Sequence, residues 1–266
     1  MGMQKTKLLR EAIRAILREE AGPDKSDKSG ELADRIIETN RGMREVGLPF
    51  QVVVSITGGA DFEAQIMLKR SDTGTEEELT RIMPGSTVVS DWIEENMKSP
   101  KREAALEISK RLPYGSIITA PPSYSDGRCL KSQVVQLTRE TRPGWGPLLY
   151  DIALEAATES RGGLTPDRLT VSPEAQRIWR AYDTSRPDVS KRQLDIDPEA
   201  MARGDKSYSG INPERLTPDD PKDDCGQVSA WETTDGNWSS SPLSRTYSKS
   251  PTVIPKLEAA GAIVRL

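Results

Sequence analysis

Residues 134–156 read VVQLTRETRPGWGPLLYDIALEA, and their reading decides the fold. The β-branched run VVQLT (134–138) predicts a strand. Gly144 and Gly146 punctuate a turn, and Leu148, Leu149, Ile152, Ala153 and Ala156 supply the apolar face of a helix. A strand that enters a helix through a glycine turn is a ready anion site. The first amides of the helix have no partner within it, and its dipole favours negative charge. Gly144 and Gly146 let the backbone approach a pyrophosphate closely, and Arg139 and Arg142 add charge-assisted contacts. The same Gly-x-Gly also fits a purely structural turn, so this stretch alone leaves both readings open.

Downstream, GGLTPDR (162–168) leads into VSPEAQRIWRAYD (171–183). The second run predicts a helix with Ser172 as N-cap, Pro173 at its first position and Glu174 in its first turn. Upstream, QVVVSIT (51–57) and FEAQIMLK (62–69) alternate apolar and polar residues about Gly58, Gly59, Ala60 and Asp61, the pattern of a hairpin. YGSIITA (114–120) and CLKSQVVQLT (129–138) predict a second hairpin with a long connection. Helices are expected over 31–41, over TGTEEELTRI (73–82), over 90–97 with Ser90 as N-cap, and over 100–111. Residues 4–21 are an amphipathic helix with Leu9, Ile13, Ile16 and Leu17 on one face, either packed on its own domain or docking a partner. From about residue 196 the chain turns polar and turn-rich, with Trp231, Trp238 and Leu243 anchoring a wrap over the domain. VIPKLEAAGAIVRL (253–266) predicts a short helix followed by an edge strand.

Composition narrows the chemistry. The 266 residues include no His, which removes Ser-His-Asp triads, His-ligated metals and His bases. Acid–base work falls to Asp, Glu, Tyr, Cys, Lys or water. The net charge of −4, with both signs interspersed, gives no indication of a nucleic-acid surface. Cys129 and Cys225 have no metal-ligand spacing and are expected as reduced thiols. The acidic group Asp219, Asp220, Asp223 and Asp224 reads as a solvated turn, so no metal is expected. The charged N-terminal run is neither a signal peptide nor a membrane span.

The order from 134 to 183 resembles the core of the GNAT acetyltransferase superfamily. There a strand enters a turn of pattern Gln/Arg-x-x-Gly-x-Gly/Ala whose amides bind the coenzyme A pyrophosphate. A helix, a strand and a further helix carrying Ala and Tyr on one face follow. Gly144, Gly146 and Leu149 match the turn, and Ser172, Ala175, Ile178 and Trp179 match the second helix. The runs GWGPLLYDIALE, GGLTPDR and VSPEAQRIWRAY, with Asp223–Gln227 (DDCGQ) and SPLSRTY (241–247), also look like phage-encoded acetyltransferase-like proteins. The sequence departs from the family pattern at Thr141, where Gln or Arg is usual, at Pro147, which has no N–H, and at Trp179, where the acid Tyr is usual.

The resemblance implies an α/β (α+β) fold, a mixed and mostly antiparallel sheet flanked by helices. Its domain would span 49–195 (core 112–190), after an N-terminal helical segment (1–48) and before an irregular C-terminal extension (196–266). It implies acetyl-CoA as a substrate, contacted by Val135, Leu137, Arg139, Arg142, Gly144, Trp145, Gly146 and Leu148. Tyr182 or Tyr150 would donate the proton to the leaving thiolate, and Glu140 or Asp151 would relay the amine proton. The implied partner is an unknown amine in the host cytoplasm. The rival reading is a non-catalytic phage virion or host-interaction protein that reuses the fold.

Overall fold

The computed structural model describes residues 28–71, 78–98, 101–122, 132–167, 171–194 and 241–266. The expected helix 4–21, Cys129, Cys225, the 219–224 acidic group, Trp231 and Trp238 lie outside them.

The fold is built on the first hairpin. β1 (Phe50–Thr57) and β2 (Phe62–Arg70) pair antiparallel over their length, from Phe50 opposite Arg70 to Thr57 opposite Glu63. Val52, Val54 and Ile56 on one strand and Ala64, Ile66 and Leu68 on the other enter one hydrophobic core, as the alternation predicts. β4 (Gly115–Ala120) joins the far edge of β2, and β5 (Gln133–Arg139) joins β4, both antiparallel.

β5 then feeds α4 (Gly146–Arg161), which crosses over to β6 (Leu164–Thr165), parallel to β5. α5 (Pro173–Thr184) and β7 (Val189–Gln193) follow. Ser172 caps α5 as predicted: its hydroxyl accepts from the Ala175 amide at 3.2 Å. With β8 (Arg245–Lys249) and β9 (Ile263–Arg265), the sheet runs among the described residues β7-β8-β6-β5-β4-β2-β1-β9, with β3 (Glu78–Arg81) on β2 beyond the end of β4. It is mixed and mostly antiparallel, with helices packed against it. α1 (Lys28–Val46) packs on β1, α4 packs on β2, β4 and β8, and α1 also packs on α3 (Lys101–Ser109) and on α6 (Val253–Ala259). α2 (Val88–Asn96) packs beside α3.

Three expectations need correction. The run 73–82 carries a strand where a helix was expected: Glu78–Arg81 pairs with Met67–Arg70, so tertiary pairing overrides a glutamate-rich, helix-favouring composition. α2 begins at Val88, so Ser90 lies inside the helix and Thr87 is the N-cap. The polar stretch before the expected C-terminal helix, read as an irregular wrap, supplies a strand at 245–249. β8 (Arg245–Lys249) runs inside the sheet between β6 and β7, and β9 (Ile263–Arg265) adds the predicted edge strand, parallel to β1. β8 escapes a hydrophobic pattern search because its inward positions include Lys249, which is 3% exposed.

The pair Gly162-Gly163 makes the turn into β6 feasible. Gly162 ends α4 in the left-handed region at φ 75°. Gly163, at φ 156°, lets β8 approach so closely that a Cβ there would lie 2.6 Å from the Tyr247 carbonyl oxygen. Among the described residues no helix is long and apolar enough to cross a membrane.

Candidate functional site

The pairing of β5 with β6 is short. They are in register over Gln133 with Leu164 and Val134 with Thr165, after which β6 ends and β5 continues to Arg139. On its other edge β5 carries a bulge: Ile118 faces Leu137 and Thr119 faces Val135, which leaves Gln136 as the extra residue. A bulge takes one residue out of the ladder and re-aims its neighbours. From Gln136 onward β5 is exposed, in contrast to its buried start.

Two adjoining clefts lie along β5 beyond the end of this pairing. The inner one, about 280 Å³, runs along Val135, Gln136, Leu137 and Thr138 and is faced by Tyr150, Asp167, Ala175 and Trp179. The outer one, about 260 Å³, shares Thr138, Tyr150, Ser172 and Ala175 and extends past Gly144, Gly146 and Leu149. It ends at the start of α4, where the N-cap is Trp145 and no side chain caps the first amides. Pro147 removes one donor from that turn, and Gly144 holds it at φ 85°. The outer cleft therefore ends at backbone donors and a helix dipole, as the glycine turn predicts.

Of the residues expected to contact coenzyme A or to move protons, Val135, Leu137, Arg142, Gly144, Gly146 and Tyr150 line these clefts. Arg139, Glu140, Trp145, Leu148, Asp151 and Tyr182 do not. Arg139 and Glu140 are exposed at the end of β5, Glu140 at φ 36° with its carboxylate 3.7 Å from Arg81. Trp145 is buried with the Arg35 guanidinium 5.0 Å above its ring, and Leu148 is core. Arg142 borders the outer cleft but points part of its guanidinium elsewhere: Nη1 donates to the Lys110 and Leu112 carbonyls at 3.1 and 3.2 Å.

The two tyrosines separate cleanly. Tyr150 lies between both clefts, which it lines together with Thr138. Burial raises its phenol above the ordinary range and the Asp167 charge adds to this, against the lowering effect of Thr138, so it holds its proton. Tyr182 faces away from the clefts and donates to Asp151 Oδ1 at 2.5 Å.

That aspartate centres a buried network. Asp151 Oδ2 accepts from Ser29 Oγ at 2.5 Å, Arg186 Nη2 at 2.8 Å and Lys249 Nζ at 2.8 Å. Burial opposes the Asp151 charge, but Arg186 and Lys249 outweigh it and hold the carboxyl below the usual aspartate range. Lys249 also reaches Glu155, which accepts from the Thr252, Val253 and Ile254 amides and so caps α6 from another helix. Arg186 grips Asp188 through Nε at 2.7 Å and Nη2 at 2.6 Å. Asp151 is fully buried and fully engaged, and it lines neither cleft.

Sequence reading overlooked Thr138 and Asp167 as cleft residues. Thr138 ends the VVQLT strand, and Asp167 follows the two-residue strand β6, so a search for carboxylates opposite β5 at the end of its parallel partner would have found Asp167. Among the described residues no cluster of His, Cys, Asp and Glu has the form of a metal site. Compared with protein-family models, curated proteins and solved structures, the chain matches none.

Proposed function

We propose that the protein binds an acyl-coenzyme A and transfers its acyl group, acetyl in the first instance, to an amine. One observation carries this reading. β5 runs on past the end of its two-residue parallel partner along a cleft that ends at a helix N-terminus whose N-cap side chain makes no capping bond. An extended chain with amide groups can lie along the exposed edge of β5 while its phosphates meet the amides of α4. The order strand, glycine turn, helix, strand, capped helix is the one the GNAT resemblance implies, and it supports the same reading.

In such a transfer the amine nitrogen bonds to the thioester carbon and the carbon–sulfur bond breaks. The bulge at Gln136 offers backbone N–H to the oxyanion that develops between those events. Tyr150, held protonated, gives its proton to the departing thiolate. Asp167 is the carboxylate placed to take the proton that the amine loses, directly or through water.

Calorimetric titration with acetyl-CoA tests the reading. Micromolar binding, lost in a Gly146→Phe variant that fills the outer cleft, is the expected result. Absence of heat at millimolar ligand overturns it.

A second reading, a non-catalytic phage virion or host-interaction protein, is favoured by one observation. Tyr182 is sealed against Asp151, and an indole that cannot donate a proton at neutral pH stands at position 179. Binding of acetyl-CoA without thiol release in the presence of any amine would favour it.

A further inference from the structure

The inner cleft is shaped unevenly along its length. α5 faces β5 with Ala175 and, one turn on, with Trp179, so a low wall gives way to the largest side chain available. One helical turn advances about 5.4 Å along the axis. On the strand side the cleft reaches inward to Val135, next to Val134 where β5 and β6 are still bonded. Strand pairing and the indole therefore close the same end.

The indole is not free to swing aside. It stacks on Tyr247 at 5.4 Å and 29°, and meets Tyr150 edge-on at 5.4 Å and 84° and Tyr182 at 5.7 Å and 77°. Two of these partners are pinned in turn: the Tyr247 hydroxyl donates to the Pro242 carbonyl at 2.6 Å, and the Tyr182 hydroxyl donates to Asp151 at 2.5 Å. Packed interiors respond to added atoms by strain and not by flow, so a wall held this way discriminates by size.

We infer that Trp179 sets the acyl length the protein accepts, closing the inner cleft behind a two-carbon acyl group and turning away chains of six carbons. This rests on the acyl-coenzyme A reading above and assigns its substrate class within that reading. The role belongs to the residue that replaces the expected tyrosine, so the substitution converts a position for proton transfer into one for size selection.

The test compares free CoA, acetyl-CoA, butyryl-CoA and hexanoyl-CoA by calorimetry on the full chain. The wild-type protein is expected to bind hexanoyl-CoA at least tenfold more weakly than acetyl-CoA. In Trp179→Ala the ratio of the two affinities is expected to shift by tenfold or more toward the longer chain. Trp179→Phe keeps an aromatic ring in the cluster and shifts the same ratio by a smaller amount, which guards against a variant that fails to fold. A ratio compares two ligands on one protein, so a uniform loss of affinity does not move it. Equal wild-type affinities along the series, or a ratio unmoved in the Phe variant, overturn the inference and leave the acyl-coenzyme A reading standing. No binding of any of the four, free CoA included, removes that reading and the inference with it.

Discussion

Lys249 places its ammonium 2.8 Å from the carboxylate of Asp151, although 98 residues separate them in the chain. Both are almost wholly buried, and Lys249 bridges onward to Glu155 at 2.9 Å. The contact ties β8 to α4 and, through the Glu155 cap, to α6. Removing one partner of such a pair leaves an uncompensated charge in the interior, a loss of about 3–5 kcal/mol. Lys249→Met is therefore expected to lower the free energy of unfolding by that order, measured by urea denaturation. A loss below about 1 kcal/mol would mean that the network relaxes without cost.

The same network sets the pH dependence of stability. Burial opposes the charges, but Arg186 and Lys249 depress the Asp151 carboxyl, and Asp151 and Glu155 raise the Lys249 ammonium. Asp151 thus stabilises the fold above its unfolded pKa of about 3.9, and that contribution disappears as pH falls through the depressed folded value. Lys249 stabilises below its unfolded pKa of about 10.4 and ceases to do so as pH rises through its raised value. Unfolding free energy measured against pH is expected to hold a plateau between these limits and fall on both sides. Asp151→Asn should flatten the acid limb, and an unchanged acid limb would assign it to other carboxylates.

Tyr150 and Tyr182 are expected to part company when mutated. Tyr182→Phe removes a buried hydroxyl bonded to a carboxylate, a loss of roughly 1.5–3 kcal/mol in stability. It leaves acetyl-CoA affinity within twofold, since Tyr182 does not line either cleft. Tyr150→Phe is expected to slow thiol release from acetyl-CoA, assayed with a panel of amines, by about 10²–10⁴-fold. Equal effects of the two changes on thiol release would remove the assignment of the proton donor.

Legibility from sequence followed the physics of each element. The hairpin β1–β2 and the helices at 146–161 and 173–184 were readable because burial on one face stamps a period on the apolar residues, and because Ser172 and Pro173 announce a helix start. The glycine turn was readable for the same local reason. β3 was not, because ELTR becomes a strand only through its register with Met67–Arg70. β7 and β8 (VSKRQ and RTYSK) carry charge where a strand search expects apolar residues, and what Lys249 meets inside is set by a distant part of the chain. The choice between Tyr150 and Tyr182 was equally out of reach: both lie on helices, and only the packing of α5 against α4 turns one toward the cleft and the other toward Asp151.

The glycines after α4 offer the last test, because two neighbours differ in why they are glycine. Gly162 needs only its left-handed backbone, and an added Cβ there meets nothing within 4 Å. Gly162→Ala is expected to lower stability by about 1 kcal/mol. Gly163 sits at φ 156° against β8, where a Cβ would come within 2.6 Å of the Tyr247 carbonyl oxygen and 2.8 Å of Thr246 Oγ1. A backbone oxygen cannot step aside as a side chain can, so Gly163→Ala must push β8 away from β6. That displaces Tyr247 from Trp179 and Lys249 from Asp151 together, which joins the turn to both the cleft wall and the buried network. The expected loss for Gly163→Ala exceeds that for Gly162→Ala by about 2 kcal/mol or more, in line with overpacking of a well-ordered interior. Thermal unfolding of the two variants side by side measures the difference, and equal melting temperatures would mean that β8 does not lie against Gly163 in solution.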